Sequence, residues 1–269
     1  GIQIERLLGR AKRVIDAAER AIEELEATTP NREILRLDQA WAYEQLRDDA
    51  RALEVLDLVR HALGTSSPYW KEAVYQRARI IEKSLTGAKD PTGIRALAEA
   101  RDAWGEAASW LSPNQGSANL AVSCLYAAEH SFELGDPNAA RRYLDTMFSA
   151  EDAFLASDPR QVERERYADH AERGLYTLGE IQRSVARPDL AQEAFETAIE
   201  RYPGSTRVPV GYLMLGVLAE ERGDPDEALG LYRRGMRKAE AIGADLAREP
   251  YFDVREKLAA RIQRIEATR

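Results

Sequence analysis

The sequence predicts an all-α chain built from successive antiparallel helix pairs. Three observations predict it. Apolar residues recur at three- and four-residue spacing almost throughout, as in Leu53, Leu56, Val59 and Leu63, in Ile181 and Val185, or in Ala191, Phe195, Ala198 and Ile199. No convincing run of alternating β-branched residues marks a strand. Helix punctuation is dense. Asp90-Pro91, Asp136-Pro137, Asp158-Pro159 and Asp224-Pro225 each offer an N-cap acceptor followed by a proline whose fixed φ suits the first helical residue. Gly64, Gly135, Gly204 and Gly223 stand where a preceding helix should stop.

Read in order, these signals give about twelve helices, over 2–27, 31–46, 48–64, 67–86, 92–111, 115–134, 137–156, 159–186, 188–202, 206–222, 225–245 and 249–268. Short connections make neighbours antiparallel hairpins.

A repeat underlies the helices. From Gly179, small or bulky residues follow at fixed steps: Ala191 at +12, Phe195 at +16, Ala198 at +19 and Pro203 at +24. From Gly216, the same steps give Gly223 at +7, Ala228 at +12, Tyr232 at +16 and Gly235 at +19. Ala128 leads to Gly135, Ala140, Leu144 and Met147, and Ala40 leads to Ala52, Leu56 and Val59. A fifth copy, with a longer loop, pairs Ala78 with Ala100, Trp104 and Ala107. Small residues let the two helices of a pair approach, and the bulky residue four later fills the gap to the next pair. Each hairpin alone leaves an apolar face uncovered, so pairs must stack.

This pattern resembles the tetratricopeptide repeat, in an irregular array of bacterial type. The reference residues Ala40, Ala78, Ala128, Gly179 and Gly216 are 38, 50, 51 and 37 apart, against a family period of about 34. The resemblance implies a right-handed α-solenoid of about five antiparallel helix pairs with flanking helices. As one domain over 1–269, it comprises a leading helix or half repeat at 1–30, repeats at 31–64, 67–111, 115–156, 159–203 and 206–245, and a C-terminal capping helix at 249–269. Ala11, Ile15 and Ala18 give the leading helix the spacing of a second repeat helix, and Arg255, Lys257, Arg261, Arg264 and Glu266 give the last one a polar face.

Composition narrows the chemistry. A net charge of −8, from 46 acidic and 38 basic residues, opposes general nucleic-acid binding, and no polybasic anchor is present. The longest strongly apolar stretch, 212–219, is far shorter than the roughly 20 residues a bilayer requires. One cysteine, Cys124, precludes an intrachain disulfide framework. His61, His130 and His170 lie on three separate helices without metal-ligand spacing, and no P-loop or Gly-rich fingerprint occurs. Paired acids such as Glu23-Glu24 and Glu220-Glu221 are expected on solvated faces carrying this many charges. Cys124, Trp104, Phe195, Tyr212 and Tyr232 read as core. No cofactor, metal or catalytic residue is expected.

Binding is the expected activity. The resemblance implies that residues at −6, −3, +1 and +4 from each reference position line an inner groove. These are Ile34, Leu37, Trp41 and Glu44, then Glu72, Tyr75, Arg79 and Glu82, then Val122, Leu125, Glu129 and Phe132. Arg173, Tyr176, Glu180 and Arg183 follow, and last Val210, Leu213, Val217 and Glu220. Trp41, Tyr75, Arg79, Leu125, Glu129, Phe132, Tyr176, Glu180 and Arg183 are the candidate partner-binding residues. Aromatic anchors beside charges describe a peptide groove, although any one aromatic can instead pack against the neighbouring repeat. None of Trp41, Arg79, Glu129, Glu180 and Val217 is Asn, and none of Leu37, Tyr75, Leu125, Tyr176 and Leu213 is Lys, so the family's carboxylate clamp is absent in this register. An acidic, aromatic groove favours an apolar or basic segment.

Three function classes stand: a scaffold gripping a partner segment, a regulatory region excised from a larger enzyme such as a kinase or protease, and a self-assembly module forming homo-oligomers. Gly1 and the leading half repeat lend themselves to the second. The stretch Tyr202-Pro203-Gly204-Ser205 resembles a junction common in bacterial envelope proteins of this family. The expected location is cytoplasmic, or periplasmic if a leader has been removed.

Overall fold

Close approach between paired helices sets the architecture. The computed structural model describes residues 2–25, 30–85, 91–111, 116–243 and 253–268. Thirteen helices lie among them: α1 (Ile2–Glu24), α2 (Pro30–Gln45), α3 (Asp49–Ala62), α4 (Pro68–Ser84), α5 (Pro91–Trp110), α6 (Ala118–Glu133), α7 (Pro137–Ser149), α8 (Glu151–Ala156), α9 (Gln161–Ser184), α10 (Pro188–Arg201), α11 (Val208–Glu221), α12 (Pro225–Ile242) and α13 (Val254–Ala267). The chain divides into two compact units, Gly1–Tyr167 and Ala168–Arg269, with the division inside α9.

In the first unit each helix from α1 to α7 packs on the next, and α2 also touches α4. Two apolar clusters fill it. One joins α1 to α4 through Ile15, Tyr43, Leu56, Val59 and Ile80. The other joins α4 to α6 through Trp70, Ile81, Trp104 and Val122. In the second unit α10, α11, α12 and α13 pack in sequence, and α13 also touches α11. Its core holds Leu213, Leu229, Tyr232, Leu258 and Ile265.

The repeat residues occupy these cores. Ala40, Ala52, Leu56 and Val59 are fully buried, as are Ala128, Ala140, Leu144 and Met147, and Ala191, Phe195 and Ala198. Ala78, Ala100, Trp104 and Ala107 are buried to the same degree. Gly179 faces the Phe195 ring and Gly216 the Tyr232 ring so closely that an added Cβ would collide with either. The +16 side chain therefore fills space that the small reference residue vacates.

The turns between paired helices repeat one geometry. Gly135 and Gly223 take φ of +81° and +80°. At the equivalent positions Arg47 and Ala186 take +59° and +57° without being glycine. In each turn the following amide donates back to a carbonyl five residues earlier: Asp48 to Tyr43, Asp136 to Ser131, Arg187 to Gln182 and Asp224 to Ala219. This satisfies carbonyls that a helix end otherwise leaves open.

The expected caps Asp136 and Asp224 accept from the Ala139 and Glu227 amides at 2.8 and 2.9 Å. Asp90 lies outside the described residues. Asp158 departs from expectation. It takes φ +52° and its carboxylate accepts from the Arg164 guanidinium at 2.5 Å. The helix starts later, with Glu163 accepting from the Arg160 amide. Residues 137–156, expected as one helix, are broken at Ala150, against which Gly116 packs through the Ala150 carbonyl and Phe154.

The expected ends of the first and last helices, 26–27 and 249–252, lie outside the described residues, as does residue 115, the expected start of the third repeat. The rest of α13 buries Val254, Leu258 and Ile265. Its polar face is not merely solvated. Arg255 donates to the carbonyls of Ala239 and Gly243 at 2.6 and 3.2 Å, closing the C-terminus of α12.

Three substitutions test these contacts. Ala186→Gly, which relieves a left-handed non-glycine residue, raises stability by roughly 0.5–1 kcal/mol in thermal unfolding. A lowered midpoint would show that the turn carries no strain. Gly216→Ala, which meets Tyr232, lowers stability by about 1–3 kcal/mol. Gly230→Ala, on an exposed stretch of α12 with nothing within 4 Å, instead raises it by up to about 1 kcal/mol.

Candidate functional site

The first helices of the repeats are α2, α4 and α6 in the first unit, and α9 and α11 in the second. Their candidate residues divide sharply by environment. Trp41 is exposed (38%). Tyr75 and Phe132 are half-buried, and Tyr75 meets the edge of Trp104 at 5.7 Å between ring centres. Glu129 is half-buried.

Two expectations need correction. Leu125 is fully buried, because the whole apolar side of α6, from Leu120 to Ala128, is enclosed by packing. Tyr176 is also buried. Its hydroxyl donates to the Arg207 carbonyl at 3.0 Å and its ring lies 6.3 Å from Phe195. Neither can line an open groove. Tyr176 instead helps fix the segment leading into α11, where the Arg207 guanidinium is held by Asp169 at 2.7 Å and Glu172 at 2.9 Å.

The +4 position has a role that single-repeat reasoning missed. In three repeats it links one first helix to the next, and in the last it links α11 to α13. Glu44 on α2, nearly enclosed, is gripped by Arg79 and Lys83 of α4. Glu82 on α4 accepts from the Trp104 indole at 2.9 Å and meets His130 of α6 at 2.7 Å. Arg183 on α9 donates to Glu221 of α11 at 2.8 Å. Glu220 on α11 accepts from Arg261 of α13 at 2.6 Å and from Arg264. For Glu44 and Arg183 the signal was present in the sequence, as opposite charges at +4 of one repeat and at +1 or +5 of the next. Glu44 and Glu220 each already hold two cations.

In the second unit a cleft of about 480 Å³ opens over α9, α11 and α13. Leu213, Met214 and Val217 of α11 give it an apolar lining; Arg183 of α9 and Lys257 and Arg261 of α13 add cations to it. Glu220 and Glu221 complete the lining. Four of the inner-groove positions named from the sequence, Arg183, Leu213, Val217 and Glu220, meet here. Behind Glu220, burial and that carboxylate's charge push the Tyr232 hydroxyl well above the usual phenol range.

Among the described residues no group of three His, Cys, Asp or Glu could hold a metal ion, and no helix is long and apolar enough to cross a membrane. Cys124 is fully buried, and burial pushes its thiol up to about 12, so it remains a protonated core residue.

Glu180 provides a test of the site's electrostatics. Burial outweighs the neighbouring Arg183 and pushes its carboxyl above the usual range. A raised folded-state pKa favours folding below the ordinary carboxylate pKa and is lost as pH rises. Glu180→Gln therefore increases the unfolding temperature near neutral pH, and the gain vanishes below pH about 4. A gain that persists in acid would show that Glu180 is not the cause.

The geometry can now be compared with known proteins. A family profile described as tetratricopeptide repeat matches residues 173–205, which contain Gly179, Ala191, Phe195, Ala198 and Pro203. No curated protein matches the sequence. Among solved structures, BtubC (BKLC) from P. vanneervenii is 17% identical with a TM-score of 0.59, over 90% of this chain and 92% of that one. YrrB, described as a TPR protein with an unusual peptide-binding site, is 16% identical with a TM-score of 0.56, over 87% of this chain and 96% of that one. MamA is 18% identical with a TM-score of 0.55, over 78% of this chain and 93% of that one. Residues 173–205 are a tetratricopeptide repeat, set in a chain whose fold is that of the tetratricopeptide-repeat solenoids.

Proposed function

We propose that this chain is a protein-binding scaffold that holds a segment of a partner against its first-helix faces, and that its part is binding rather than catalysis. The observation that carries the reading is the open cleft over α9, α11 and α13, with an aliphatic floor and a charged rim. Peptide sites have this make-up, in which apolar contacts supply affinity and a few polar groups fix register. YrrB is described as having a peptide-binding site, which lends support at the level of the fold. Trp41, exposed on α2 of the first unit, is a separate anchor of the same kind.

Val217 tests the cleft because it lies on the floor and is only half-buried. Val217→Asp places a carboxylate there, and Met214→Lys does the same with the opposite charge. With the whole chain as bait, both variants lose the partners captured by the wild type, while circular dichroism shows unchanged helix content. An identical set of partners on both variants would overturn the cleft as the binding site.

A further inference from the structure

The cleft in the second unit has a charge preference opposite to that suggested by its glutamates. We infer that it takes an acidic peptide segment, with an aliphatic side chain on the Leu213, Met214 and Val217 floor and flanking carboxylates met by Lys257, Arg261 and Arg264. The inference rests on the cleft being the binding site and names the chemistry of its occupant.

Both carboxylates in the lining are already engaged. Glu221 accepts from Arg183 at 2.8 Å. Glu220 accepts from Arg261 at 2.6 Å and from Arg264 through the same oxygen. One carboxylate beneath two guanidinium groups leaves a positive charge in excess on the α13 side, whereas on the α9 side Arg183 is shared by Glu221 and Glu180. The α13 side also leaves donors over, because each guanidinium there has five N–H groups and each commits one to Glu220.

Exposure sharpens the asymmetry. The Glu220 side chain is 17% exposed, whereas Arg264 is 58% exposed. Water and any ligand therefore meet the cations first. Lys257, 59% exposed, is paired among the described residues with Asp253, the residue that precedes α13. Such exposed pairs contribute little to stability, so Lys257 can exchange Asp253 for an incoming carboxylate. A basic segment would instead face these exposed cations, a like-charge contact that is unfavourable at low salt.

The same device recurs in the first unit. Glu44 is almost enclosed beneath Arg79 and Lys83, whose side chains are 44% and 53% exposed. In both units an inner-face carboxylate is covered by two outward-facing cations, in a chain whose net charge is −8.

The test uses the whole chain and three fluorescently labelled, end-blocked peptides of equal length, each with a central Leu flanked by Glu, Lys or Gln. Fluorescence anisotropy is read at low and high salt for the wild type, Lys257→Glu and Val217→Asp. The Glu peptide binds at least about tenfold more tightly than the Gln peptide at low salt. That advantage collapses at high salt and in Lys257→Glu, and all binding is lost in Val217→Asp. If the Lys or Gln peptide binds as well as the Glu peptide, and Val217→Asp still abolishes it, the acidic preference is overturned while the cleft stands as the site. If Val217→Asp leaves Glu-peptide binding intact, or no peptide binds, the cleft itself is overturned and the preference with it.

Discussion

Two helices can pass at close range only where a side chain is missing. Gly179 under Phe195 and Gly216 under Tyr232 meet that condition in the second unit, and Ala40 and Ala128, both fully buried, occupy the same step in the first. The contact fixes where a pair crosses, and with it which residues of the first helix face its partner and which are left for other contacts. Interiors pack too densely for the ring to move aside when a methyl group is added. The turn that follows, seven residues on, is equally constrained. Its left-handed backbone is kept even where Arg47 and Ala186 stand in place of glycine, which indicates that the crossing and the back-bonded helix end together outweigh the local cost.

A second layer of order is electrostatic. Glu44, Glu82, Arg183 and Glu220 occupy the same position in their repeats; the first three reach the next first helix and Glu220 reaches α13. The hydrophobic contacts of a pair are local in sequence. These polar contacts instead span 35 to 48 residues. They hold neighbouring pairs in register on the face where a partner would lie. A well-paired glutamate, nearly enclosed, is consequently part of the scaffold and cannot also be the group that recognises a ligand.

The pair pattern was legible because it depends on volume alone. Small and bulky residues at +12, +16 and +19 are visible in the letters, and every one of those buried in the core could be named in advance. The break at Ala150 and the late start of α9 were not legible: Gly116 packs against Ala150 and Phe154 in one case, and Arg164 takes the Asp158 carboxylate in the other. The site was half legible. Offsets within a repeat brought Arg183, Leu213, Val217 and Glu220 to one cleft. The same offsets placed Leu125 and Tyr176 in the open, where α6 packing and the Arg207 carbonyl in fact enclose them. Exposure depends on neighbours distant in sequence, and a pattern confined to one repeat carries no information about them.

Helix α13 supplies one wall of the cleft, through Lys257 and Arg261, and is held to the rest of the second unit by Val254, Leu258 and Ile265 and by the Arg255 contacts to Ala239 and Gly243. Docking of this last helix and filling of the cleft are therefore thermodynamically linked. A ligand bound there would also fasten α13, and loosening α13 would weaken its binding by the same free energy. The end of the second unit thus makes the cleft a site whose existence is conditional on local folding.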